Sequence, residues 1–490
     1  MRWVFSFKLD RNSSISLTAQ IAEAIASEVR RGRLRARSPL PGSRTLAEML
    51  GVSRNTVFAA YEELAAEGWI TSNRSGTFIS ESLPEPRSRR TRATTVRNSR
   101  VGFDLNPLAI SRFDERELPK RTLRWDFGVP DARLVPSTAI ARAYRRVLRR
   151  HGDEVLQYDR YFTTERSPLE RAIAEMLSET RGLAVGPENV LITRGSQMAL
   201  YLLAQALVRP GDLVAFEHPG YQSAWELFRR AGAELAFISV DREGVRVDEI
   251  RRLCENRRLR AIFLTPHHQF PTTVTLSIGR RLELAQLAAQ ARFAIIEDDF
   301  DHEFHFDGRP VAPMASADRD GVVVYVGSLS KILAPGLRVG FLVGPPALIQ
   351  QARELRELID VQGDRPLDWA LADLFEEGEI HRHLGRARRL YRSRRDALAD
   401  LLTRHLGGVL RFEVPSGGMA IWAEVDSSID VERWADRALK HGLFFRTGSL
   451  FFAERDAKPF VRLGFARWNE QELSAAVAKM VQALPKAIGR

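Results

Sequence analysis

The chain has 490 residues, room for two to four domains at about 150 residues each. Its 44% hydrophobic and 28% charged residues are ordinary globular usage, which excludes a disordered chain, a fibrous repeat and a bundle of membrane spans. The net charge is +11, and residues 1–100 hold 17 Lys/Arg against 9 Asp/Glu, so +8 of it lies in the first fifth. A polyanion partner at the N-terminal end explains this imbalance, and a solvated basic surface with a basic linker explains it equally well. The single cysteine, Cys254, forbids an intrachain disulfide and fits a reducing cytoplasm. The first residues contain no apolar leader, and no run approaches about 18 apolar residues, so the expected location is cytoplasmic.

Residues 1–80 predict a small helical unit. Leu17, Ile21, Ile25 and Val29 recur every four residues and mark one helix face. A second helix follows Pro41-Gly42-Ser43, running 44–50, and Gly51-Val52 makes a turn. Ser53 caps a third helix with Val57, Tyr61 and Leu64 as its buried stripe. Residues 69–71 and 77–79 alternate around Asn73-Arg74-Ser75-Gly76, a hairpin, so the unit is a winged helix-turn-helix. Arg54, Asn55 and Thr56 sit at the dipole-positive start of the third helix, off its apolar stripe, where side chains reach phosphates or base edges. Arg44 begins the preceding helix, and Gly76 lets the wing backbone approach a phosphate. Ser43 and Thr77 adjoin these residues and complete the candidate DNA-binding set. A protein-binding winged helix with a polar surface is the alternative.

Residues 81–120 open with Pro84 and Pro86 among Arg87, Arg89, Arg90 and Arg92, the composition of an extended, self-repelling basic linker. From 121 to 490, apolar runs at 190–193, 213–216, 261–264, 294–297 and 322–326 alternate with helical patterns at 197–208, 221–231 and 277–291. The expected fold class is α/β: a mainly parallel central sheet with helices on both faces. A long helical stretch at 367–405 and strands near 410 and 420 predict a smaller α+β subdomain. The large subdomain is placed at about 150–360 and the small one at about 361–490.

Lys331 follows a strand and lies among hydroxyls in Gly327-Ser-Leu-Ser-Lys331, where a lysine can form an imine with an aldehyde cofactor. Arg338, seven residues on, can return to clamp a phosphate. A plain surface lysine is the alternative. Asp298 ends an apolar run, where α/β sheets place ligands, and a carboxylate there can pair with a protonated pyridine nitrogen. A helix cap or solvated acid is its alternative. The run 297–301 holds contiguous carboxylates without ligand spacing on one face, so no metal is assigned. Gly195, Ser196 and Gln197 form a strand–turn–helix whose free N–H groups suit a phosphate, or an ordinary capped turn. Tyr221 can stack on a flat ring, or be a rim aromatic.

The segment Pro39-Leu-Pro-Gly-Ser-Arg-Thr-Leu-Ala-Glu-Met-Leu-Gly-Val-Ser-Arg-Asn-Thr-Val, with Tyr61-Glu-Glu-Leu, Glu67-Gly-Trp and Gly76-Thr-Phe, resembles the GntR-type winged helix. That resemblance implies DNA contacts at Arg44, Arg54, Thr56 and Gly76. Residues from about 121 onward resemble fold-type I aminotransferases. The matches are Gly195-Ser-Gln, Pro210-Gly-Asp, His218-Pro-Gly-Tyr221, His268-Gln-Phe-Pro271, Glu297-Asp-Asp, Ser328-Leu-Ser-Lys331, Pro335-Gly-Leu-Arg338 and Arg462-Leu-Gly-Phe. The whole chain is similar to MocR/GabR-type regulators. The resemblance implies pyridoxal 5′-phosphate (PLP) as cofactor, bonded by a catalytic Lys331, with Asp298 on the pyridine nitrogen and Tyr221 on the ring. It places Ser196, Gln197, Ser328, Ser330 and Arg338 on the phosphate, and Arg462 on the carboxylate of an amine or amino-acid effector. It also implies a double-stranded DNA operator and a head-to-tail homodimer.

The sequence departs from the family at four places. Phe300 stands where many relatives have a tyrosine that donates to the cofactor phenolic oxygen, so transaminase turnover is expected to be weak or absent. Ser223 replaces an arginine used by GABA-responsive members. Phe270-Pro271 replaces Asn-Pro, and residues 157–168 lack the Gly-x-x-x-Leu-Arg arrangement. Two rivals stay open: a working aminotransferase with an accessory DNA-binding domain, and a cofactor-free dimerisation scaffold.

Overall fold

Ser53 accepts a hydrogen bond from Thr56 N and starts the helix Arg54–Ala66, as its position before an apolar stripe requires. Val57, Ala60, Tyr61 and Leu64 turn inward against Ile21, Ile25 and Val29 of Leu17–Arg30, with Leu17 itself half-buried. The second helix, Ser43–Leu50, ends at Gly51 in the left-handed conformation (φ 62°) that a non-glycine residue adopts only with strain. The wing strands Ile70–Asn73 and Gly76–Ile79 are antiparallel, and Pro39–Leu40 adds a third strand beside the second. Two residues carry no periodicity, so that strand left no mark in the sequence.

The structure is a computed structural model describing residues 9–11, 13, 15–73, 75–83, 103–105, 118–119, 121–158, 166–453 and 458–485. Pro84, Pro86 and the arginines that follow lie outside the described residues, as do Arg74 and residues 159–165. The chain divides into two units, Met1–Leu108 and Ala109–Arg490.

In the second unit the apolar runs form an eight-stranded mixed sheet. Its spatial order is Val190–Thr193, Gly340–Val343, Val323–Ser328, Ala294–Asp299, Leu259–Leu264, Leu213–His218, Glu234–Asp241 and Gly244–Val245. Successive residues feed opposite layers, Ile295 packing with Leu264 and Leu284 and Ile296 with Phe263 and Leu203. Gly340–Val343 is antiparallel to both neighbours. Only eleven residues separate it from Ser328, too few for the crossover that a parallel strand needs. Val190–Thr193 therefore runs with the parallel strands, and residues after five co-directional strands converge at one edge.

The smaller sheet is antiparallel: Leu410–Phe412, Ala420–Val425 and Phe460–Gly464. Three features differ from expectation. The stretch 367–405 is two helices, Arg365–Glu376 and Glu379–Leu406, broken at Gly378 (φ 68°). The first of them buries Leu367, Leu371 and Leu374 against Ala143 and Leu177, in the layer beside the large sheet. Conversely, Leu123–Arg124 pairs in parallel with Leu443–Phe444, and Trp125 stacks on Trp468 at 5.8 Å. The start of the body is thus built into the C-terminal part, and a cut at residue 361 does not separate the layers.

Candidate functional site

A cavity of about 120 Å³ opens at the converging strand ends, lined by Ser196, Tyr221, Asp298, Phe300, Lys331 and Arg462 together with Phe127, Gly128, Thr265 and Phe270. Lys331 lies on the short helix Leu329–Ile332 directly after a central strand, and its Nζ donates to the Gly128 carbonyl at 3.0 Å. Burial pulls its pKa down and the Arg462 charge adds to this, while Asp301, Asp126 and Asp298 oppose it. A lysine so placed spends more time as the free amine, the nucleophilic form that attacks an aldehyde.

Asp298 is buried on the strand Ala294–Asp299, with Oδ1 lacking any hydrogen-bond partner. Burial, with Asp299 and Asp301 close by, pushes its carboxyl up to about 8. A protonated ring nitrogen is the kind of group that would satisfy it. Glu217 behind it is also buried and pushed up to about 7, and accepts from Thr265 N at 2.9 Å and Thr265 Oγ1 at 2.7 Å.

Gly195 (φ 76°) opens the helix Ser196–Leu207, and an added Cβ would lie 2.6 Å from Arg338 Nη2. Arg338 donates from the same nitrogen to Arg194 O at 3.1 Å, which lays its guanidinium across the glycine turn. Ser328 Oγ accepts from Ser330 N at 3.2 Å, while Ser330 Oγ is buried without a partner. The Gln197 amide donates to the Tyr221 hydroxyl, which burial holds protonated. These groups offer the donors an anionic phosphate takes: a helix N-terminus, two hydroxyls and a guanidinium. With the Lys331 amine and the unpartnered Asp298 oxygen, the residues present fit PLP.

Arg462 is buried beside this set. Nε donates to Phe127 O at 2.9 Å, Nη1 to Pro271 O at 2.6 Å, and the guanidinium lies 4.6 Å from the centre of the Phe270 ring. Among the described residues it has no ion-pair partner. Burial lowers its pKa to about 10, against the pull of Asp301 and Asp126. Phe270 meets Tyr221, Phe300, Phe127 and Phe451 edge-on at 5.4–6.2 Å, so an aromatic wall stands where the family has an asparagine. Phe127, Gly128 and Thr265 went unread in the sequence. The first two act through backbone carbonyls, which any residue supplies. Asp126 sets them by accepting from Gly128 N and Val129 N, both at 2.8 Å.

In the first unit, Arg44, Arg54, Asn55 and Gly76 are exposed, and Ser43, Thr56 and Thr77 half-exposed. Arg54 Nε lies 3.5 Å from Ser43 Oγ, which brings the starts of the second and third helices together. Thr56 Oγ1 is 2.8 Å from Ser53 Oγ, and Thr77 Oγ1 is 3.2 Å from Ser72 Oγ.

A sheet of this topology with a lysine and an acid at neighbouring strand ends defines an aminotransferase-type body, here preceded by a winged helix. The aminotransferase class I and II model matches residues 126–480, and the model for bacterial regulatory proteins of the gntR family matches residues 17–79. The probable rhizopine catabolism regulatory protein MocR of Rhizobium meliloti is 34% identical over 94% of this chain and 92% of its own length. The HTH-type transcriptional regulator TauR of Rhodobacter capsulatus is 30% identical over 98% and 99%. The crystal structure of LysN, an α-aminoadipate aminotransferase from Thermus thermophilus complexed with N-(5′-phosphopyridoxyl)-L-leucine, is 31% identical, with a TM-score of 0.69 over 75% of this chain and 93% of that one. The chain belongs to the MocR-type transcription regulators, PLP-dependent DNA-binding proteins that fuse a GntR-type winged helix to an aminotransferase class I and II body. No helix among the described residues is long and apolar enough to cross a membrane.

Proposed function

We propose that the body senses an amine bearing a carboxylate, an amino acid or a close relative, and that this chain is a regulator with little or no transaminase turnover. The observation that carries the reading is Arg462, a buried cation with no ion-pair partner among the described residues and three N–H donors beyond its two backbone contacts. PLP supplies an aldehyde that exchanges amines and a ring that withdraws electrons. Around it the chain's own residues divide the work. Asp298 holds a ring-nitrogen proton at its free Oδ1. Gly195, Ser196, Gln197, Ser328, Ser330 and Arg338 grip the phosphate, and Tyr221 covers the ring.

Arg462 takes the effector carboxylate through its remaining fork and so aims the effector amine toward Lys331. Phe127, Phe270 and Phe451 exclude water from that approach. Phe300 presents no hydroxyl, so one proton donor of an efficient enzyme is missing, which supports sensing over turnover. The effector acts only through different affinities for two states of the protein. The DNA-facing set is Ser43, Arg44, Arg54, Asn55, Thr56, Gly76 and Thr77, and a head-to-tail homodimer in the cytoplasm would present two such heads to paired half-sites.

The test is the visible absorption band of purified protein, titrated with amino acids and with matched amines lacking the carboxylate. A Lys331-dependent band that shifts with amino acids, and shifts about tenfold less readily in Arg462→Ala, supports the reading. Equal response to the decarboxylated amines removes Arg462 from the role. Keto-acid formation at the rate of a dedicated aminotransferase establishes the enzyme instead.

A further inference from the structure

Histidines gather in a second place, outside the cavity described above. His267 and His268 follow the strand Leu259–Leu264, and His302 and His305 flank the turn after Ala294–Asp299. The His267 ring centre lies 4.4 Å from that of His268, 4.6 Å from His302 and 5.6 Å from His305. His267, His268 and His302 are each more than nine-tenths buried. Their polar atoms are unspent: both nitrogens of His267, Nε2 of His268 and Nδ1 of His305 have no hydrogen-bond partner. Native folds rarely leave so many buried nitrogens unanswered, and a group of them calls for a ligand.

We propose that His267, His268 and His305 bind a divalent transition-metal ion of the zinc class through three imidazole nitrogens. One donor atom from each lies within 4.8 Å of the others, and in a zinc site the three nitrogens would close in to about 2.0–2.1 Å from the ion. Imidazole donors suit zinc, copper and nickel rather than calcium or magnesium. Asp301 Oδ1 lies 2.8 Å from His268 Nδ1, which fixes the proton there and turns the lone pair to Nε2. A carboxylate behind a ligating histidine is the usual orienting arrangement. His305 is half-exposed and lines a cavity of about 520 Å³, the side from which an ion would enter and from which water or an exogenous ligand would complete its coordination.

A neighbouring set, His267, Asp299 and His302, fits the same spacing. It is the weaker choice. Asp299 Oδ2 already accepts from the Tyr325 hydroxyl at 2.7 Å and lies 3.9 Å from the Arg181 guanidinium, which repels a cation. The three ligands are adjacent or separated by dozens of residues, so no ligand spacing shows in the sequence, and none was assigned there.

The test uses full-length protein without a histidine tag, stripped by chelator and dialysed. Zinc is measured by mass spectrometry after equilibration and gel filtration, and cobalt(II) absorption reports the donor geometry. The expected result is one zinc per chain and a cobalt d–d band. Affinity falls about 100-fold or more in His267→Ala and His305→Gln and stays unchanged in His302→Ala. Near-UV circular dichroism checks each variant, and if His267→Ala fails to fold, the half-exposed His305→Gln decides. Absence of stoichiometric zinc, retention of zinc in His305→Gln, or its loss in His302→Ala each overturns the assignment.

Discussion

Asp298 is an acid kept where acids do not ionise willingly. An unfolded aspartate titrates near about 3.9, whereas burial raises this one to about 8, so between those values the folded, cofactor-free chain holds a proton that the unfolded chain has lost. Stability of the cofactor-free form therefore falls as pH rises across that window. Lys331, whose value is lowered, works in the opposite direction, and Glu217 and Glu297, both pushed up to about 7, work with Asp298. Comparing thermal midpoints of wild type and Asp298→Asn at pH 6 and 8 isolates the one carboxyl. The fall should be smaller in the variant, and PLP should stabilise it far less than it stabilises wild type. At Phe300 the expected change is a gain: Phe300→Tyr restores a hydroxyl that could donate to the cofactor phenolic oxygen and should raise the single-turnover transamination rate about tenfold, read by stopped-flow absorbance. Lys331 and Asp298 could be singled out because their chemistry belongs at the C-terminal ends of strands, and Arg338 by its spacing from Lys331, whereas Arg462, in the middle of the strand Phe460–Gly464, was offered by the family resemblance alone. Phe127 and Gly128 were not, because their contribution is a carbonyl, and the histidine pairs were not, because only the fold brings two loops together.

Strands and turns show the same division. The buried parallel strands read plainly as apolar runs, since both their faces are covered. Gly340–Val343 was missed as an antiparallel member because direction is decided by the length of the preceding connection and not by side chains. Leu123–Arg124 and Pro39–Leu40 are too short for any period to register, and Gly378 divides what looked like one long helix. The turn at Gly195 is the element on which the phosphate set depends. Its φ of 76° and the 2.6 Å between a built Cβ and Arg338 Nη2 leave no room for a side chain. Gly195→Ala should therefore weaken PLP binding by about tenfold or more while leaving the helix content intact, as equilibrium dialysis and far-UV circular dichroism would show. In the winged helix, Ser53→Ala removes the cap of the third helix and should cost about 1 kcal/mol, seen as a lower thermal midpoint of that unit.

For the molecule as a whole, charge is unevenly invested, with most of the excess at the end that carries the winged helix. Binding to double-stranded DNA should weaken steeply with added salt. Arg44→Ala and Arg54→Ala should each lower the slope of log affinity against log salt by about one if they contact phosphates. A slope unchanged in both variants would show that these arginines face elsewhere. One thread of the body connects chemistry to this partition. The segment that starts at Leu123 is pinned beside Leu443 and ends, a few residues later, in two carbonyls gripped by the Lys331 amine and the Arg462 guanidinium. Arg462 can keep its Nε on the Phe127 carbonyl while its remaining N–H groups meet a ligand, whereas Lys331 has one amine, and a cofactor bonded to it would take that amine from the Gly128 carbonyl. Of the two grips on this thread, one is compatible with a bound ligand and the other is given up to the cofactor.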